Sequence, residues 1–153
     1  MKKIRTQIRD IQHIEKELNN NPVGILAFNL KDDELVQIST TFLYLDKNVY
    51  FFLDLKDDLF ENLKFETDVK FILLKNEKPK KNKPDFTPVY SILSVSVAGL
   101  IKKVDDEKLL DSVKKNYLKK YSSRGDEKER SLKTDKVIFI DTEEIQAFEE
   151  MGG

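Results

Sequence analysis

Gln37, Ser39 and Thr41 alternate along one short run of this chain, and in an extended strand every second residue lies on the same face. The opposite face of that run carries Ile38, Thr40 and Phe42. A row of amides and hydroxyls either meets water or lines a groove in which a polar ligand is held by hydrogen bonds, and the spacing alone leaves both open. The acidic groups Asp32-Asp33-Glu34 and Asp57-Asp58 have the oxygens a hard cation takes, but no third cluster accompanies them at a recognisable spacing. Turn and helix-cap aspartates explain them better. The lone histidine, His13, falls off the apolar stripe around it, so it is expected to be a solvated surface residue with no catalytic role.

Other chemistries are excluded by what is missing. The sequence has no phosphate-binding glycine loop, no nucleophile elbow and no pair of histidines at metal-ligand spacing. It contains no cysteine, which removes disulfides, thiolate metal sites and a cysteine nucleophile, so redox chemistry would need a borrowed cofactor. With 27 basic and 28 acidic side chains among 153 residues there is no basic footprint for nucleic acid. Tyr50, Phe51 and Phe52 read as core and interface rather than a stacking platform for bases, since no basic stripe is interleaved with them. The basic start Met1-Lys2-Lys3-Ile4-Arg5 runs into alternating charged and apolar residues, and no stretch approaches the roughly 18 apolar residues of a membrane span. The expectation is one cytoplasmic domain that binds neither nucleic acid nor membrane.

The elements that must position the Ser39 run follow from periodicity. Ile4, Ile8, Ile11, Ile14 and Leu18 recur every three or four residues, predicting a helix over 4–18 that stops before Asn19-Asn20-Asn21-Pro22. Short β-rich runs follow at Val23 to Leu30, Leu35 to Leu45 and Val49 to Asp54, with hairpin-length connections. A short helix opens near Asp57, and a fourth strand spans Asp68 to Leu74. The lysine- and proline-rich stretch 76–88 is expected to be a solvated loop. Strict alternation from Ser94 carries on to Val104, with a bend expected at Gly99. Asp105 or Asp106 caps a helix whose stripe is Leu110, Val113, Tyr117 and Tyr121; a second polar loop, 122–134, precedes a last strand, Lys136 to Asp141, that continues irregularly to Phe148.

That order of elements resembles the pyridoxamine-phosphate oxidase-like split-barrel flavoproteins. The matching stretches are Ser39-Thr40-Thr41-Phe42-Leu43-Tyr44 leading into Val49-Tyr50-Phe51-Phe52, Asn62-Leu63 before Val69-Lys70-Phe71-Ile72-Leu73-Leu74, and Val95-Ser96-Val97-Ala98-Gly99-Leu100-Ile101. The resemblance implies a mainly β domain with flanking helices: a six-stranded antiparallel split β-barrel, dimeric, with FMN at the interface of two identical subunits.

In such proteins the FMN phosphate is gripped by side chains of the second and third strands and by a Ser-x-Lys stretch opening the short helix. Aligned without a gap, Asp57 and Leu59 stand at the serine and lysine positions with Asp58 between them. Lys56 can supply the cation, while Ser39, Thr40 and Thr41 supply the strand hydroxyls. The function implied is a flavin-dependent oxidoreductase of unknown substrate. Two alternatives stay open: a protein of this fold that binds another ligand such as haem, for which His13 is the sole histidine, or a cofactor-free dimeric interaction protein. A homodimer is expected because the aromatic-rich strand surface would otherwise form an exposed apolar patch.

Overall fold

A computed structural model of the chain describes residues 2–52, 57–79, 86–122 and 136–153, the side chains of 57–59 excepted. The elements in order are β1 (Lys3–Ile8), α1 (Ile11–Asn20), β2 (Val23–Asn29), β3 (Leu35–Thr41), β4 (Leu43–Leu45), β5 (Asn48–Phe52), α2 (Asp57–Asn62), β6 (Asp68–Glu77), β7 (Tyr90–Lys103), α3 (Glu107–Tyr121) and β8 (Val137–Gly152). The strands form one antiparallel sheet in the order β3-β2-β6-β7-β8-β5-β4, with β1 added to the far half of β8. The two ends of that path, β3 and β4, are consecutive pieces of one strand joined through Phe42. The sheet therefore curls back on itself as a split barrel, which removes most of its free edge.

The first half of the predicted helix 4–18 is instead strand β1, whose pairs run from Lys3↔Gly152 to Ile8↔Ala147. A spacing of four places Ile4 and Ile8 on one face of a strand as readily as on one stripe of a helix, and the open edge of β8 captures the segment. The helix starts after Asp10, whose carboxylate accepts from the Gln12 N–H at 3.0 Å. With β1 added, the sheet has seven continuous runs among the described residues rather than six, and eight segments once the break at Phe42 is counted. Strand β6 reaches Glu77, which pairs with Ser91, so the start of the expected 76–88 loop belongs to the ladder; Phe86 and Pro88 are buried, and 80–85 lie outside the described residues. Strand β8 is continuous to Gly152. Helix α3 ends at Tyr121, and most of the expected 122–134 loop lies outside the described residues.

Among the described residues, two apolar clusters hold the fold. The barrel interior is filled by Leu26, Phe28, Phe42, Phe51, Phe71, Leu73, Val95, Val97, Ile138 and Ile140, with Ile14 and Leu18 of α1 closing one end. A second cluster lies outside the barrel, where Val113 and Tyr117 of α3 pack on Leu43, Tyr50, Phe52 and Val137. Tyr50, Phe51 and Phe52 are thus all buried within the chain, and they form no exposed aromatic patch. No helix among the described residues is long and apolar enough to cross a membrane.

Candidate functional site

Helix α3 covers the outer side of β4, β5 and the start of β8, whereas the outer face of β3, β2, β6 and β7 is open among the described residues. The register defines this open face. Val23 pairs with Thr41, Ile25 with Ser39 and Ala27 with Gln37; Ile25 in turn pairs with Ile72 and Ala27 with Lys70; Lys70 pairs with Ala98, Ile72 with Ser96 and Leu74 with Ser94. Leu35, Leu74, Val23 and Ile25 are 65 %, 58 %, 52 % and 38 % exposed. An aliphatic patch of this kind on one sheet face is the usual mark of a partner or ligand surface. It is aliphatic rather than aromatic: the aromatic-rich strand surface expected to drive a dimer is buried within the chain.

A groove of about 420 Å³ crosses the face, lined by Ala27, Leu35, Asp68, Lys70, Gly99 and Glu143 among others. Lys70 stands between two alanines on the neighbouring strands, Ala27 and Ala98, so small side chains flank an ammonium. A register shift beside it, between Ala98↔Glu144 and Gly99↔Thr142, leaves Glu143 as the extra residue of a β-bulge and turns it to the groove. Gly99 is required at this point because a Cβ there would lie 2.1 Å from the Asp141 carbonyl oxygen. None of Lys70, Gly99 or Glu143 stood out in sequence as a site residue, although Gly99 was expected to mark a bend.

The structure separates the residues singled out by the hydroxyl pattern. Ser39 is exposed on the open face. Thr40 faces the other way, half-buried, and its Oγ1 donates to the Thr41 carbonyl at 2.9 Å. The Thr41 hydroxyl, at the border where α3 begins to cover the sheet, lies 2.6 Å from the Tyr117 hydroxyl. Lys56 lies outside the described residues. His13 is largely solvated, with Nε2 3.8 Å from Glu17. The acidic run at 32–34 forms a turn, in which Asp32 accepts from the Glu34 N–H at 3.0 Å and Asp33 holds Lys64 at 2.7 Å.

The bend that carries Ser39–Thr41 is fastened from α3. Breaking a strand at Phe42 strips its N–H and C=O of ladder partners, and buried groups left in that state cost on the order of 1–3 kcal/mol each. Tyr121 repairs this: its hydroxyl accepts the Phe42 N–H at 3.0 Å and sits 2.6 Å from the carbonyls of both Phe42 and Pro22. The Lys120 ammonium donates to the carbonyls of Phe42 and Leu18 at 3.1 and 3.2 Å and lies 3.7 Å from the centre of the Phe42 ring. Sequence reasoning placed Tyr117 and Tyr121 on an apolar stripe; the signal it missed is that a buried tyrosine brings a hydroxyl that needs a partner.

Burial lowers the Lys120 pKa to about 8 and raises that of Tyr121 to about 12. Burial, helped by the hydrogen bond to Glu15, also raises Tyr44, and burial raises Tyr50. A lysine whose folded pKa falls below its unfolded value binds fewer protons when folded, so stability rises with pH across that interval. The three tyrosines act oppositely, because the unfolded chain loses their protons first once the pH passes 10. We therefore expect stability to climb between pH 8 and 10 and to fall beyond. The Lys120 share is about 1 kcal/mol, well under the full shift because the ammonium keeps part of its solvent. Urea melts of Lys120→Met across that range should show the climb flattened; an unchanged slope would place its origin elsewhere.

No family model and no curated protein matches this chain. Solved structures do. A protein of Corynebacterium glutamicum assigned as a pyridoxamine 5′-phosphate oxidase superposes with a TM-score of 0.65 at 17 % identity, covering 100 % of this chain and 98 % of that one. An FAD-binding protein of Mycobacterium smegmatis gives 0.64 at 14 %, with 96 % and 99 % covered. A haem-binding protein of the same organism gives 0.59 at 13 %, with 92 % of this chain and 55 % of that one covered. The chain has the split-barrel fold of the pyridoxamine-phosphate oxidase-like flavoproteins.

Proposed function

We propose that this chain is a flavin-binding protein whose cofactor is FMN, held on the open sheet face between two copies, and that it serves as a flavin-dependent oxidoreductase of a small molecule in the cytoplasm. The observation that carries the proposal is that face itself: an aliphatic sheet surface with an outward hydroxyl border at Ser39 and Thr41, in a fold shared with an FAD-binding protein. The residues present fit the group. Ile25, Ile72, Ala27 and Ala98 make a flat apolar bed for an aromatic ring, and Lys70 offers charge beside it. Ser39 and Thr41, with Lys56 from the stretch before α2, would hold the phosphate. When bound, the isoalloxazine ring supplies hydride chemistry; the chain contributes binding, orientation and exclusion of water.

Titration of the purified protein with FMN, followed by absorbance, and light scattering of the loaded protein test this directly. A flavin spectrum perturbed by binding and the mass of a dimer are expected. A Soret band on adding haemin, with no response to FMN, would transfer the site to haem. Within the flavin reading, Lys56→Ala should weaken FMN. Restoring the family pattern with Asp57→Ser and Leu59→Lys should tighten it by about 1–3 kcal/mol, because one acid and one apolar side chain near a dianionic phosphate give way to a hydroxyl and an ammonium. A restored variant that binds no better than the parent would show that the phosphate is not held at the start of α2.

A further inference from the structure

We propose that Tyr117 is a positioning residue of this site: its phenol fixes the Thr41 hydroxyl so that the hydroxyl proton is presented to the phosphate of FMN. The inference rests on the flavin reading of the open face. Thr41 Oγ1 and the Tyr117 hydroxyl are 2.6 Å apart, and each carries one proton. The phenol is the more acidic of the two and the better donor, which leaves the threonine proton for a third group. A charged acceptor such as a phosphate oxygen is the partner that gains most from it.

The surroundings keep this pair in place and, among the described residues, Thr40 and Tyr121 do not substitute for it. The Tyr117 ring packs between Phe52 and Tyr121, with centroids 4.4 and 4.6 Å away. Tyr121 is committed to the backbone of Phe42 and Pro22, so it cannot take over the threonine. The neighbouring Thr40 spends its proton on the Thr41 carbonyl. Thr41 is thus the hydroxyl of the 39–41 run that is both on the outer face and oriented by a side chain of a separate element, 76 residues away in sequence. Orientation by such a partner removes rotor freedom that binding would otherwise have to freeze.

Parallel titrations with FMN and riboflavin test the role, because riboflavin has the same ring and no phosphate. The wild-type chain should prefer FMN. Tyr117→Phe keeps the ring and its packing, and should weaken FMN about five- to tenfold, the scale of one hydrogen bond, while changing riboflavin less than about twofold. Thr41→Val should show the same selective loss, and the double variant should lose no more than Thr41→Val alone. Equal loss of both flavins, an unchanged FMN affinity or additive losses would each overturn the proposal. A wild-type chain that binds both flavins equally would leave the flavin reading standing and remove the phosphate role, whereas one that binds neither would remove both. Should Tyr117→Phe fail to fold, an unchanged FMN affinity in Thr41→Val overturns the proposal, and an FMN-selective loss there supports it.

Discussion

Truncating Phe71 to alanine is expected to lower the unfolding free energy by about 3–5 kcal/mol, the range for a large aromatic removed from a packed core. Phe71 is fully buried on β6, with its ring centroid 4.7 Å from that of Phe42 and 5.3 Å from that of Phe51. Those three rings join the β3–β4 break, β5 and β6 across the barrel interior, so the cavity left behind would be lined from several strands and could not collapse locally. The ring also lies against the backbone of β2: a Cβ on Gly24 would sit 2.2 Å from its Cζ. Adjacent in sequence are Lys70 and Ile72, both on the open face, so the substitution should loosen the proposed flavin bed as well. Urea denaturation measures the loss; a value below about 1.5 kcal/mol would mean that the barrel is not packed around this ring.

The second large effect has the opposite origin. Adding one methyl group at Gly99 should destabilise the chain by about 2–3 kcal/mol, an overpacking cost at the upper end of the usual range. The new Cβ would meet the Asp141 carbonyl oxygen at 2.1 Å, its carbon at 2.9 Å and Ile140 Cγ2 at 2.9 Å. Two of those atoms are backbone and cannot swing aside, so β7 and β8 must separate where the bulge already weakens their pairing. Gly99→Ala should therefore lower the melting temperature and speed amide exchange around Asp141–Glu144. It should also displace Glu143 from the groove. A variant as stable as the parent, with unchanged exchange, would show that the close approach of the two strands is not maintained in solution.

Much of this architecture is written in local patterns. The alternation from Ser94 onward, the apolar stripe of α3 with a cap at Asp105 or Asp106, and the hairpin connections at 31–34 and 46–48 each report a period or a turn chemistry that acts over a few residues. Those signals suffice for the order of elements, and that order suffices for the split barrel. They fail where one spacing serves two structures. Ile4 and Ile8 fit a helical stripe and a strand face equally, and only the unpaired edge of β8, more than 130 residues later, selects the strand.

The site divides along the same line. Local spacing puts Ser39 and Thr41 on one face and Tyr117 and Tyr121 on one helix stripe, and the composition offers no cysteine or histidine cluster with chemistry of its own. Which faces are covered depends on packing: α3 lies over β4 and β5, hides Tyr50 and Phe52 while Phe51 fills the barrel, and leaves the aliphatic surface of β2, β3, β6 and β7 open. Packing also decided that Thr41 meets Tyr117 and that the broken strand at Phe42 is repaired by Lys120 and Tyr121. The physical reason is that periodicity records only that a residue is buried or polar, whereas a hydrogen bond between residues 76 or 79 positions apart depends on how helices and sheet pack, which no local pattern carries.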